Sequence, residues 1–176
     1  NGRKLRGKTN LCIGTTANPN VYNPQHHTSL PAQDSEVQGL KRKLDAGAQF
    51  VLTQPISTPQ QFRLFLERYQ ARNGTPFPQD VPIFWGVMIP KDYEWARLAY
   101  EGKIQLVGIE VPESVVNDMK KGKRGTEVAA EAIQRLHEHG VNHIYLIPPL
   151  GGGGRNYEMA QEVLEALGRH KLCTER

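Results

Sequence analysis

Short apolar runs, each closed by a turn-forming cluster, alternate along this chain with longer segments whose apolar residues recur every three or four positions, and this alternation most constrains the fold. The run from Leu11 to Ala17, stopped by Asn18-Pro19-Asn20, reads as a buried strand. Val37, Leu40 and Leu44 then repeat at helical spacing up to Gly47, and Phe50, Val51 and Leu52 form a second strand ending at Thr53-Gln54-Pro55. Thr58 and Gln61 have capping-box spacing, Pro59 suits the first helical position, and Phe62, Phe65, Leu66 and Tyr69 share a face. A helix from Thr58 to Arg72 is predicted.

The pattern continues with a strand from Ile83 to Ile89, closed by Pro90, and a helix capped by Asp92 that buries Trp95, Leu98 and Ala99 before Gly102. Leu106 to Val111 reads as a short extended piece. Pro112 opens a brief helix that runs into Lys120-Lys121-Gly122-Lys123-Arg124, read as a solvated turn. An amphipathic helix from Thr126 to His139 stops at Gly140, Val141 to Ile147 is the last strand, and Pro148, Pro149 and four glycines precede a final helix. Ala160, Val163, Leu164 and Leu167 form that helix's apolar face. Strands and helices in this order call for a parallel sheet with right-handed crossovers. Four such units make an open sheet or half of an eight-stranded barrel.

Size and composition fit one domain: 176 residues, 38% hydrophobic and 23% charged. The net charge of +4 suits anionic ligands, but the basic residues are spread out rather than gathered with aromatics into a stripe, so nucleic-acid binding is not expected. An unrelated α/β domain using its basic surface for nucleic acid is the contrasting reading, and binding that collapses with salt would favour it. No apolar run is long enough to span a membrane, and Asn1 to Lys8 is polar and basic, so neither a membrane span nor secretion is expected. Cys12 and Cys173 lie near opposite ends, with no spacing that suggests a disulfide framework or a metal site. A cytoplasmic protein with reduced thiols is the expectation. The opening Asn-Gly-Arg-Lys-Leu-Arg-Gly-Lys reads as a loop leading into a strand, as in a piece cut from a longer chain.

Ligands of parallel α/β folds gather beyond the C-terminal ends of the strands. The polar residues there are Asn18, Gln54, Met88 with Lys91, and the loop from Gly151 to Arg155. Gln54 offers two donors and an acceptor that can read a heterocycle's edge, and the contrasting role is a strand-end glutamine that bonds loop backbone. Gly151 to Gly154 admit either an anion cradle completed by Arg155 or a flexible loop; neither the P-loop nor the G-x-G-x-x-G pattern is present. His26 and His27 lie in a polar loop, and no histidine pair has the spacing and context of a zinc site.

The segment Asp45-Ala46-Gly47-Ala48-Gln49-Phe50-Val51-Leu52-Thr53-Gln54-Pro55 resembles the D-A-G-A-x-F-x-x-T-Q motif of methylenetetrahydrofolate reductases. Cys12-Ile13-Gly14 to Asn18-Pro19 is similar to that family's fifth barrel strand, Trp85 to Pro90 to its seventh, and Gly108-Ile109-Glu110-Val111-Pro112 to the segment that follows. Ile144 to Pro149 resembles the eighth strand of bacterial members, including those fused to a homocysteine methyltransferase. The resemblance implies that residues 1–176 form a single partial domain, parallel (βα) units making up strands five to eight of a TIM barrel. It further implies an FAD-dependent oxidoreductase that takes a hydride from NADH or NADPH and reduces 5,10-methylenetetrahydrofolate to 5-methyltetrahydrofolate.

By the same resemblance Gln54 bonds the pterin ring, Arg155 contacts the folate, and Lys43 contacts FAD. Glu36 stands where an FAD-contacting aspartate is usual, Asn18 where some members place a flavin-contacting tyrosine, and the loop from Asn20 to Gln33 is longer than usual. The family's catalytic glutamate lies on the first barrel strand, with further FAD contacts on strands two to four. This chain alone is therefore expected to lack the general acid and to be inactive, since lost proton transfer costs about 10²- to 10⁴-fold. The alternative is a folate- or flavin-binding half-barrel module that assembles with another chain. Its two open sheet edges favour either the N-terminal half of the barrel or a homodimer, and a monodisperse monomer in solution scattering would count against the homodimer.

Overall fold

The computed structural model describes residues 11–22, 30–104, 106, 108–151 and 154–169, with backbone alone at 21, 22, 30, 31, 150, 151, 154, 155 and 169. His26, His27 and Cys173 lie outside the described residues. Four strands, β1 (Gly14–Ala17), β2 (Phe50–Pro55), β3 (Ile83–Met88) and β4 (Ile144–Ile147), form one parallel sheet in the order β1-β2-β3-β4. Doubly wound sheets reverse their strand order at a switch point. Here the order simply follows the chain, as it does around a barrel wall.

Between the strands run α1 (Leu30–Asp45), α2 (Pro59–Asn73), then α3 (Tyr93–Tyr100), α4 (Glu113–Lys120) and α5 (Gly125–Glu138), with α6 (Tyr157–Arg169) last. The predicted caps are present. Gln61 Oε1 accepts from the Thr58 N–H at 3.0 Å, and Asp92 Oδ1 accepts from the Trp95 N–H at 2.7 Å. A 3₁₀ turn, Pro19–Tyr22, and the start of α1 at Leu30 shorten the loop expected over Asn20 to Gln33.

The core lies between the sheet and the helices. Val51, Trp85 and Val87 point from alternate strand positions into Val37, Leu40, Phe65, Tyr69, Ile133, Leu136, Val163 and Leu167, all buried. Trp85 meets Phe62 and Phe65 edge-on, with ring centroids 5.7 and 6.1 Å apart. The other face of the sheet carries Thr16, Phe50, Leu52, Gln54, Phe84, Met88, Tyr145 and Ile147, and none of these is buried. Leu52, between fully buried Val51 and Thr53, is 38% exposed. A smaller apolar cluster, Ala96, Val111, Val115, Val116, Met119 and Val128, holds α3 and α4 against the start of α5.

Four sequence expectations change. The first strand is shorter than Leu11–Ala17 and buries only its last residue, Ala17: it begins at Gly14 on the sheet's edge, and Leu11 and Ile13 are exposed. Helix α3 centres its buried face on Ala96, with Trp95, Leu98 and Ala99 only half-buried. The segment over Leu106–Val111 is a turn at Gly108, φ 71°, instead of an extended piece. The stretch after Pro149 contains a two-residue antiparallel hairpin, β5 (Leu150–Gly151) and β6 (Gly154–Arg155), closed beneath by the Asn156 N–H bonding Pro149 O at 3.1 Å.

Candidate functional site

Beyond the C-terminal ends of β1 and β2, the chain brings three loops together around one side chain, Asn20. Its Nδ2 donates to Pro55 O at 2.9 Å and to Gly108 O at 2.7 Å, and its Oδ1 accepts from Gln61 Nε2 at 2.8 Å. Gln61 Oε1 in turn accepts from the Ser57 and Thr58 N–H groups. Asn20 is buried, so these bonds replace water at every polar atom of its amide. Asn18 Oδ1 accepts from the Asn20 N–H at 3.0 Å, a local bond that turns the chain sharply out of β1.

Gln54 and Asn18 meet on one side of Gly108. A Cβ at Gly108 would lie 3.0 Å from Asn18 Nδ2 and 3.3 Å from Gln54 Cγ, so the backbone of that loop rests directly on both side chains. Only a glycine gives this approach at φ 71° without strain. Gln54 is half-buried, and its amide makes no hydrogen bond among the described residues. The loop-bonding role weighed for Gln54 is carried by Asn20 and Gln61 instead.

Glu36 and Lys43, seven residues apart on α1, bond the backbone just beyond β1 and within it, respectively. Glu36 Oε1 accepts from the Asn18 N–H at 2.8 Å, and Lys43 Nζ donates to Thr16 O at 3.0 Å. Asn18, Glu36 and Gln54 are thereby gathered at one rim, with Lys43 lower along the edge of β1. Arg155 belongs to β6 through its backbone, and its side chain lies outside the described residues. In the same strand-end loop as Gly108, burial pushes the Glu110 carboxyl up to about 7.

Two cations of the basic stretch after α4, Lys123 and Arg124, face neighbouring acids. Lys123 Nζ lies 2.6 Å from Glu131 Oε2, and Arg124 NH1 lies 3.1 Å from Glu162 Oε2. No helix among the described residues is long and apolar enough to cross a membrane.

Sequence reading missed Asn20 and Gly108 as parts of this site. Asn20 carried only a turn signal, and Gly108 lay in a segment that reads as extended. Their contacts join residues far apart in the chain.

Residues 3–149 match the family model described as methylenetetrahydrofolate reductase. The chain belongs to the methylenetetrahydrofolate reductase family. It is 28% identical over 165 residues to a probable methylenetetrahydrofolate reductase (NADPH) of Caenorhabditis elegans, covering 87% of this chain and 22% of that protein. Methylenetetrahydrofolate reductase 2 of Saccharomyces cerevisiae is 29% identical over 135 residues, covering 70% and 21% respectively. Methylenetetrahydrofolate reductase 1 of Schizosaccharomyces pombe is 24% identical over 143 residues, covering 77% and 21%. This chain spans about a fifth of the length of these relatives.

Among solved structures, an uncharacterized protein from Clostridium thermocellum that binds two copies of 5-methyl-5,6,7,8-tetrahydrofolic acid superposes with a TM-score of 0.54 at 17% identity. The match covers 92% of this chain and 54% of that one, and it is a likeness of fold.

Proposed function

We propose that this chain forms the folate-binding side of a methylenetetrahydrofolate reductase barrel. The observation that carries the reading is Gln54: a half-buried amide, set at the strand ends, with no protein partner among the described residues. An amide so placed is preorganised to bond the edge of a pterin, giving two N–H donors and accepting through its oxygen. Gly108 forms the adjoining wall, and Arg155, on the hairpin before α6, is the second folate contact in this reading.

The donor set at the edge of β1 fits a flavin. Lys43 commits one N–H to Thr16 O and keeps donors for a phosphate or ring carbonyl, while Glu36 and Asn18 present acceptor and donor atoms at the rim. A flavin held there by Lys43, Glu36 and Asn18 would supply hydride-transfer chemistry between NAD(P)H and the folate. The chain's own residues orient the pterin. The proton comes, in this reading, from the glutamate that the family resemblance assigns to the first barrel strand.

The unburied sheet face favours assembly with further strands. A parallel sheet normally has both faces covered, and here Phe50, Leu52, Phe84 and Tyr145 line a face that none of the core residues joins. Strands five to eight of a barrel have this character until strands one to four close the interior. A folate- or flavin-binding half that pairs through its open edges, with the other half or with a second copy, follows from the same observation.

Calorimetry with 5-methyltetrahydrofolate, on this chain and on Gln54→Ala, tests the reading. The variant is expected to bind about tenfold more weakly, as loss of one or two bonds to a buried ligand edge implies. Equal affinity in the two proteins would remove Gln54 from the site.

A further inference from the structure

Gln54 sits at a break in the sheet. Leu52 pairs with Phe84 and Pro55 with Gly86, so three steps along β2 run beside two along β3, and one residue bulges out of the ladder. A bulge strands backbone groups that regular pairing would satisfy. Two side chains take them up: Thr53 Oγ1 accepts from the Gly86 N–H at 3.2 Å, and the Tyr145 hydroxyl donates to Thr53 O. Thr53 is 1% exposed, which leaves little room for water to replace either bond.

Tyr145 makes its bond from β4, two strands away. Its ring crosses β3 where Gly86 has no side chain; a Cβ there would lie 2.9 Å from the hydroxyl and 3.0 Å from the ring carbon bearing it. The Thr53 carbonyl that receives the hydroxyl shares one rigid peptide plane with the Gln54 nitrogen. Any rotation that relieves an unbonded Thr53 carbonyl therefore swings the Gln54 side chain.

We propose that Tyr145 is a positioning residue for Gln54: its hydroxyl, reaching over Gly86 to the Thr53 carbonyl, locks the bulge that aims the Gln54 amide into the site. The inference rests on the reading of Gln54 as the folate contact. Tyr145→Phe keeps the ring over Gly86 and removes only the bond.

The test is a double-mutant cycle on 5-methyltetrahydrofolate binding by calorimetry, with Tyr145→Phe, Gln54→Ala and the pair. Tyr145→Phe is expected to weaken binding about three- to tenfold, and the pair is expected to bind no worse than Gln54→Ala alone, because the hydroxyl acts only through that amide. A weaker Gln54→Ala with an unchanged Tyr145→Phe, or two additive losses, overturns the positioning role and keeps the folate contact. Equal binding by wild type and Gln54→Ala overturns the folate reading itself. A readout independent of ligand is the Gln54 side-chain amide resonance, identified by its loss in Gln54→Ala. It should move or broaden in Tyr145→Phe, and an unmoved resonance overturns the proposal whether or not folate binds.

Discussion

Two carboxamides at the strand ends, Asn20 after β1 and Gln54 at the end of β2, are used in opposite ways. Asn20 is buried and places both donor bonds and its acceptor bond within the protein, tying the ends of two strands to the loop at Gly108. Gln54 is half-buried beside the same loop, and among the described residues its amide bonds nothing. Neighbouring residues of like chemistry thus differ: one ties the rim together, and the other keeps its amide clear of protein bonds among the described residues. The two faces of the sheet repeat the contrast, since Val51, Trp85 and Val87 are consumed by the core while Leu52, Phe84 and Tyr145 remain unburied.

The sharpest way to break the comparison is Asn20→Ala. It strands Gln61 Nε2 and the carbonyls of Pro55 and Gly108 in a buried site, and at about 1 kcal/mol per bond should cost roughly 2–4 kcal/mol in urea unfolding. A cost near zero would show that Asn20 does not organise the rim. Gly108→Ala forces a Cβ onto Asn18 and Gln54 at a positive φ. A stability loss of about 1–2 kcal/mol is expected, together with a fall in folate affinity; affinity that survives the substitution would separate the loop from the site.

Gln54→Ala should leave stability within about 0.5 kcal/mol of wild type, because it removes no bond of the protein. A larger loss in the same urea titration would mean that Gln54 is a structural amide like Asn20. The smallest effect is one of pH. Burial raises the Glu110 carboxyl to about 7, above its ordinary value of 4.5, so the folded chain holds its proton where the unfolded chain has released it. Stability should therefore decline as pH rises from about 4.5 to about 7 and level off beyond. In Glu110→Gln that decline should flatten, and an identical slope in both proteins would assign it to other groups.

Much of the fold is legible without coordinates because its signals are local. The capping pairs at Thr58 and Asp92, the apolar faces of α2 and α5, and the strand runs at β2, β3 and β4 each involve residues a few positions apart, whereas Leu164, read as part of the α6 face, is 54% exposed. Where reading failed, a neighbour distant in sequence decided the outcome. Leu11 and Ile13 are apolar enough for a strand interior, yet they precede an edge strand and stay exposed. Leu106 to Val111 has the composition of an extended segment, but a turn at Gly108 lets its backbone rest on Asn18 and Gln54.

The site divides along the same line. The position of Gln54 after a strand, and its match to a family motif, stand in the sequence; so do the strand and helix order and the caps, which depend on contacts within one or two turns. Strand order, the bulge at Thr53-Gln54, and the contrast between a fully bonded Asn20 amide and a Gln54 amide unbonded among the described residues were decided only by tertiary structure. The bonds responsible join Asn20 to Gly108, 88 residues apart, and Tyr145 to Thr53, 92 apart. No periodicity or spacing encodes such a pair, because the partners meet only after the chain has wound strand by strand around its core.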